Sequence, residues 1–503
     1  VRRRTFCLLA SGLRLPTAFS LQLSALSFCI FPFRRLSSVL RHQTLPLPCF
    51  VAFVLFCSTV FSYSQFANPR EPVLWPSLDR HQYTLTRAEF ESRLPLYSPD
   101  GSIGKYLSLD DTGVTVYDTP EHTTPLWQMA WAIPGDKKRN RAPSYKFSRT
   151  TLAPWTGVSA EKPLAGLTIA LDPGHIGGAW ADIEERKLVI GRNTPIQEGD
   201  MALIVAQHLA PQLEAAGAKI AWIRDSLEPV TPLRPADLVV EAMQSMATLD
   251  ARTLTRMTSA KMLRTLELRS ELLFYRPAEI GARAARVREY QPDLTLCLHY
   301  NAAPWGRFSR PRLYNANKVV VFVHGAYTRG ELADESQRFH LFRKLLEGTA
   351  GEEEAIASTV ADSLAEGWHF PPENYDSWNV AAKVGKNPYV WARNLIANRL
   401  YDGPTVFVEG PYMNDRKMFP RMLAGDYEGE KNFGGKKARS IHREYADYVA
   451  RGVITYYRRQ LGLPNETPVP SSPTPDECSL PGNPPADPAF DMPPPANNEH
   501  GVE

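Results

Sequence analysis

The sequence predicts an α/β fold, with a mostly parallel central sheet flanked by helices and a small α+β region ahead of it. Three observations carry this. Short apolar and β-branched runs at 167–172, 219–224, 294–299, 319–323 and 405–409 alternate with segments whose apolar residues recur at helical spacing. With 503 residues and 43% hydrophobic content the chain can bury a large core. At about 100–200 residues per domain it has room for two or three. Finally, several of the runs stop at a histidine or a glutamate, and the carboxyl ends of strands are where open α/β sheets keep their sites.

Taken in order, residues 1–64 read as a targeting segment. Seven arginines and no Lys, Asp or Glu fall there, with apolar stretches at 6–33 and 45–61, each preceded by arginines. The second stretch ends at Ser62-Tyr63-Ser64, the layout of a secretory signal cut before Gln65, with a native start downstream of Val1. This implies a secreted or periplasmic protein with no stable membrane span after signal removal. The formal charge of +3 becomes slightly negative without these arginines, which speaks against a nucleic-acid binder. Of six cysteines only Cys297 and Cys478 lie beyond the leader, so no disulfide framework is expected.

Residues 65–150 read as a small accessory domain and linker. T-L-T-R-A-E-F-E-S-R-L predicts a helix with Thr86 as its N-cap, Y-L-S-L-D-D-T-G-V-T-V-Y predicts a hairpin around 111–113, and 136–145 reads as a linker. The main domain spans 164–462. Its first strand, 167–172, is followed by a helix at 201–216 (Leu203, Ile204, Ala206, Leu209, Leu213) that Gly217 stops. Further helices are expected at 352–367, 391–400 and 438–461. Two polar, helical insertions, 236–274 and 327–350, are expected on the rim of the sheet. Residues 464–503 hold twelve of the 43 prolines and few large apolar residues, so 463–503 reads as a disordered tail.

Four residues share one kind of position. His175 follows the first strand in L-T-I-A-L-D-P-G-H-I-G-G, where Pro173 fixes φ and Gly174 permits a tight turn. His299 ends L-T-L-C-L-H, Glu409 ends T-V-F-V-E, and Glu198 stands just before the helix at 201. If the strands are parallel neighbours, all four gather at one edge of one sheet. Singly each has a plain explanation: Glu198 as an acidic residue favoured at a helix N-terminus, His299 as a hydrogen-bonded core histidine. Together, two histidines and one carboxylate suit Zn²⁺ with an open fourth position, and a second carboxylate is then available for proton transfer.

At these residues the chain resembles the zinc-dependent N-acetylmuramoyl-L-alanine amidases of the amidase 3 family, over about 164–462. D-P-G-H-I-G-G, Q-E-G-D, L-C-L-H-Y-N-A and V-F-V-E-G-P-Y-M-N stand where that family carries its motifs. The resemblance implies Zn²⁺ on His175, Glu198 and His299, Glu409 as catalytic base, and Asn301 and Arg283 near the substrate, which would be peptidoglycan. The gap from His175 to Glu198 is long for the family, so Glu184 and Glu185 are alternative ligands; Glu198 is favoured because it directly precedes the predicted helix. The family's asparagine five residues after the arginine is Arg288 here, and G-P-Y-M-N replaces the commoner G-F-L-S-N.

Two other functions remain open at this level. A zinc carboxypeptidase or other amidohydrolase would need a cation for a substrate carboxylate, with Arg283, Arg393 and Arg399 as candidates. A non-catalytic wall-binding module would keep the fold without turnover. The 236–274 insertion is either a lid that an activator protein displaces or a passive helical cap.

Overall fold

The computed structural model describes residues 73–141, 157–247, 257–303, 312–376 and 380–464. The expected targeting segment, part of the linker and nearly all of the Pro-rich tail lie outside the described residues. The chain divides into two units, one carrying Ala236–Ser270 and the other Phe66–Pro235 with Glu271–Glu503.

The second unit opens with α1 (Arg87–Tyr97), which starts where the sequence places it: Thr86 Oγ1 accepts from the Glu89 amide at 3.2 Å while the Glu89 carboxylate accepts from the Thr86 amide at 2.8 Å. The expected hairpin is β1 (Leu107–Leu109) and β2 (Gly113–Tyr117), extended by β3 (Pro125–Ala130) into an antiparallel sheet. Asp110 shapes the turn by accepting from the Thr112 and Gly113 amides.

The main sheet contains β4 (Thr168–Pro173), β7 (Lys219–Trp222), β8 (Leu294–Tyr300), β9 (Val320–His324), β10 (Ala382–Lys383), β11 (Val390–Arg393) and β12 (Thr405–Gly410), in the order β10-β11-β9-β12-β8-β4-β7. Strands β12, β8, β4 and β7 are mutually parallel. β9 runs antiparallel to β12 and parallel to β11. A separate pair, β5 (Lys187–Leu188) and β6 (Ile196–Gln197), bridges the loop between β4 and the next helix.

Helices α2 (Glu198–Ala215), α7 (Ala350–Trp368) and α9 (Ile441–Gln460) bury their apolar stripes on one face of the sheet, against Leu171, Leu296, Val321 and Val406. On the other face α5 (Glu279–Tyr290) and the short α8 (Ile396–Leu400) meet Ala170, Cys297, Phe322 and Phe407. No described helix is long and apolar enough to cross a membrane.

Two expectations about elements change. The stretch 391–400, read as one helix, is β11 followed by α8, because pairing with β9 overrides a locally helical composition. The stretch 327–350 does contain a helix, α6 (Glu335–Glu347), but it is no surface decoration. Phe339 and Phe342 pack on Trp75, and Phe342 stacks on Phe90 at 6.2 Å, so α6 completes the core of the N-terminal sheet. In the other unit, α3 (Val239–Ala247) and α4 (Ser259–Leu273) bear out the helical reading of that insertion, and Arg269 donates to Ser245 Oγ at 2.8 Å.

Candidate metal centre

Register fixes the site before any side chain is considered. Glu409 is the Cα partner of His299 across β12 and β8, and Pro173 is the partner of Leu298 across β4 and β8. The three carboxyl ends are therefore level. Gly174 comes opposite His299, and a Cβ there would overlap the His299 imidazole. His175 then leaves the strand at φ 56°, a left-handed conformation that turns its ring toward His299, with centroids 5.0 Å apart at 82°. Gly177, at φ 90°, lets the loop close over Asp200, whose Oδ1 accepts from the Gly178 amide at 2.6 Å.

Glu198 is the first residue of α2, which begins three residues ahead of its predicted start. Its carboxylate lies between the two rings: Oε2 is 3.3 Å from His175 Nε2 and Oε1 is 3.2 Å from His299 Nδ1. The Tyr300 amide donates to Oε1 at 3.1 Å. Donor atoms of His175, Glu198 and His299 all lie within 4.8 Å of one another. Two imidazoles and one carboxylate converging at that spacing fit one Zn²⁺.

Glu184 stands behind the site and Glu185 is exposed. Glu184 Oε1 faces His175 Nδ1 at 3.5 Å while its Oε2 accepts from the Ile176 amide at 2.8 Å. It thus orients the ring whose other nitrogen faces Glu198, the usual arrangement behind a metal-bound imidazole.

The electrostatics separate the carboxylates. Burial would raise Glu198, yet the two imidazoles pull it well below the ordinary carboxylate range. Burial works against charge on His175, but Glu198 and Glu184 hold it up at about 9; burial lowers His299. Burial and the neighbouring Glu198 charge push Glu409 up to about 8, and its Oε2 has no hydrogen-bond partner. One carboxylate is committed to the rings and the other keeps an oxygen with no partner.

Arg283 lies beneath this edge, 4% exposed. Nη1 donates to Asp172 Oδ1 at 2.8 Å and to the Pro173 carbonyl at 2.9 Å, Nη2 donates to the His175 carbonyl at 2.7 Å, and Nε meets Glu279 at 2.8 Å. Its guanidinium therefore holds the loop that carries His175. Arg224, which sequence reasoning missed, braces the same loop through the carbonyls of Pro173 and Gly174 and ties it to the first turn of α2 through that of Gly199. Its one sequence signal is an arginine closing the run K-I-A-W-I-R. Arg186, also missed, brings Nε to 3.3 Å from His175 Nε2 and 3.5 Å from Glu198 Oε2. Asn301 is half-buried beside the site, its Oδ1 accepting from the Ala302 amide at 2.7 Å.

No family model matches the chain, and no curated protein matches it. Among solved structures it is similar to the N-acetylmuramyl-L-alanine amidase Ami1 from Mycobacterium smegmatis, at 16% identity and a TM-score of 0.32, over 59% of this chain and 99% of that chain. The N-acetylmuramoyl-L-alanine amidase AmiC2 of Nostoc punctiforme matches at 15% identity and a TM-score of 0.31, with 59% and 99% covered. The CwlD amidase from Clostridioides difficile, in complex with the GerS lipoprotein, matches at 12% identity and a TM-score of 0.30, with the same coverage. At such identities and scores these likenesses carry no argument about the chemistry of this chain.

Proposed function

We propose that the chain is a zinc-dependent peptidoglycan hydrolase that cleaves the amide between N-acetylmuramic acid and L-alanine, outside the cytoplasm. The observation that carries this reading is the convergence of His175, Glu198 and His299 with an unpaired Glu409 on the adjoining strand. The motifs that hold these residues supply the substrate class. His175, Glu198 and His299 would hold the ion, which when bound supplies Lewis acidity toward the amide carbonyl and toward water. Glu409 takes the proton of the attacking water and delivers it to the departing L-alanine nitrogen. Glu184 keeps the His175 ring in orientation, while Arg283 and Arg224 fix the backbone beneath it. Asn301, two residues after His299 on the chain, is assigned to the substrate in this reading. An activator acting on 236–274 would be its regulatory extension, and deletion of that segment should then raise the rate.

The test is digestion of purified peptidoglycan with and without a zinc chelator, with the released ends identified by mass spectrometry. Chelator-sensitive release of stem peptides with free L-alanine amino termini is the expected result. Release of a free C-terminal amino acid instead would make the enzyme a carboxypeptidase. Of the arginines such an enzyme needs, Arg283 is engaged as described and Arg399 donates to Asn394 Oδ1 at 2.8 Å, which leaves Arg393.

A further inference from the structure

The sheet face that carries Glu409 continues as a row of rings. Phe407, two residues before Glu409, sits opposite Phe322 of β9. His299 stacks on Phe407 at 4.0 Å between centroids, Phe407 meets Phe322 at 6.4 Å, and the Arg393 guanidinium lies 5.8 Å from the Phe322 centroid. Tyr375 flanks the same ring at 5.6 Å. Arg393 closes β11 and shares its face with Trp391, since Val390 and Ala392 belong to the opposite core.

Arg393 is half-buried, and its guanidinium makes no hydrogen bond or ion pair to the described residues beside its ring contact. Other arginines around the sheet are engaged: Arg283 by Asp172 and Glu279, Arg224 by backbone carbonyls, Arg343 by Glu347 and Asp402. A cation–π contact at that distance uses none of the five guanidinium N–H donors, which are left for a planar anion. Partial removal from water without a fixed counter-ion is costly, and an incoming carboxylate relieves that cost. Its charge already bears on Glu409, partly offsetting the burial that raises that group.

We propose that Arg393 forms a carboxylate subsite, taking an acidic group on the peptide half of the substrate beyond the scissile amide. The inference rests on the amidase reading and names what the site recognises. An extended peptide advances about 3.3–3.6 Å per residue. The three ring steps from His299 thus put the guanidinium within about five residues of the cleaved bond. The ligand class is an acidic peptide, and the fork geometry selects arginine over lysine.

The test compares two synthetic muropeptides, one with free carboxylates on the stem peptide and one with those groups amidated, cleaved by the full chain, Arg393→Met and Arg393→Lys. Methionine keeps a flexible apolar stem over Phe322, and thermal unfolding with metal content confirms that each variant is folded and loaded. The expected result is KM about tenfold higher in both variants for the acidic muropeptide, with kcat within twofold, and no change for the amidated one. That factor is at the low end of what one charge-assisted hydrogen bond is worth. Equal kinetics for variant and native sequence on both ligands, or equal losses on both, would overturn the subsite while leaving the amidase reading intact. Failure of the native sequence to cleave either muropeptide would remove the amidase reading and the subsite with it.

Discussion

The two edges of the main sheet use the same residue types to opposite ends. At the amino edge of β12, Glu353 accepts from the Thr405 amide at 3.1 Å and from Thr349 Oγ1 at 3.0 Å, with Lys344 Nζ 3.6 Å away. Lys344, wholly buried, donates to the carbonyls of Tyr401 and Gly403, and Arg343 pairs with Glu347 and Asp402. Each carboxylate there meets a cation of the protein itself. At the carboxyl edge the donors of His175, Glu198 and His299 instead converge on one another, with the half-exposed Arg186 at their side, and Glu409 keeps an oxygen with no partner, as Glu347 does at the other edge. Burying polar groups is tolerable when they are satisfied, and donors converging as these do could be satisfied by one metal ion.

The largest effect is expected from removing the proposed proton carrier. Glu409→Gln should lower kcat on a muropeptide by about 10²–10⁴, the range of general acid–base catalysis, with KM changed little. Native turnover in that variant would take Glu409 out of the mechanism.

Next in size is the other edge. Lys344→Met leaves Glu353 without its buried cation, while Glu347 keeps Arg343, and should cost about 3–5 kcal/mol in denaturant unfolding. Metal stoichiometry should not move, since the edges share no partner. Loss of metal along with stability would show that the edges are not independent.

Arg283→Lys probes the floor of the site. A lysine cannot span Asp172, Glu279 and two carbonyls at once, so metal affinity should weaken about 10–100-fold in competition with a chromophoric chelator, as for other residues that support a ligand. Unchanged affinity would leave Arg283 a purely structural residue.

The smallest expected effect is a pH dependence. Burial holds His442, which faces the Tyr300 hydroxyl at 2.8 Å, down at about 4 against an ordinary value of 6.5. Between those values the unfolded chain binds the proton and the folded protein does not, so stability is present above pH 6.5 and falls as pH drops toward 4. Urea unfolding at pH 7 and pH 5 should show a smaller loss for His442→Gln than for the native sequence.

Much of this site is legible in the sequence because strand ends are marked locally. D-P-G-H and L-C-L-H announce both the stop of a strand and the group that follows it, and Thr86 with Glu89 announces a helix start. What stays hidden depends on tertiary contact. Nothing in V-V-V-F-V states that β9 opposes β12 in direction. The charges of α6 read as a solvated rim because their partners, Asp402 and the carbonyls of Tyr401 and Gly403 among them, are distant in the chain. Arg224 and Arg283 look like surface arginines until the β4 loop folds over them.

In the proposed mechanism three residues hold a metal while Glu409 does not. Its most direct test is metal content by mass spectrometry of the native sequence, Glu409→Gln and Glu198→Gln, each purified in the presence of zinc. One zinc per chain in the first two and none in the third is the expected result. No zinc in the folded native protein, or zinc kept without the Glu198 carboxylate, would contradict the account.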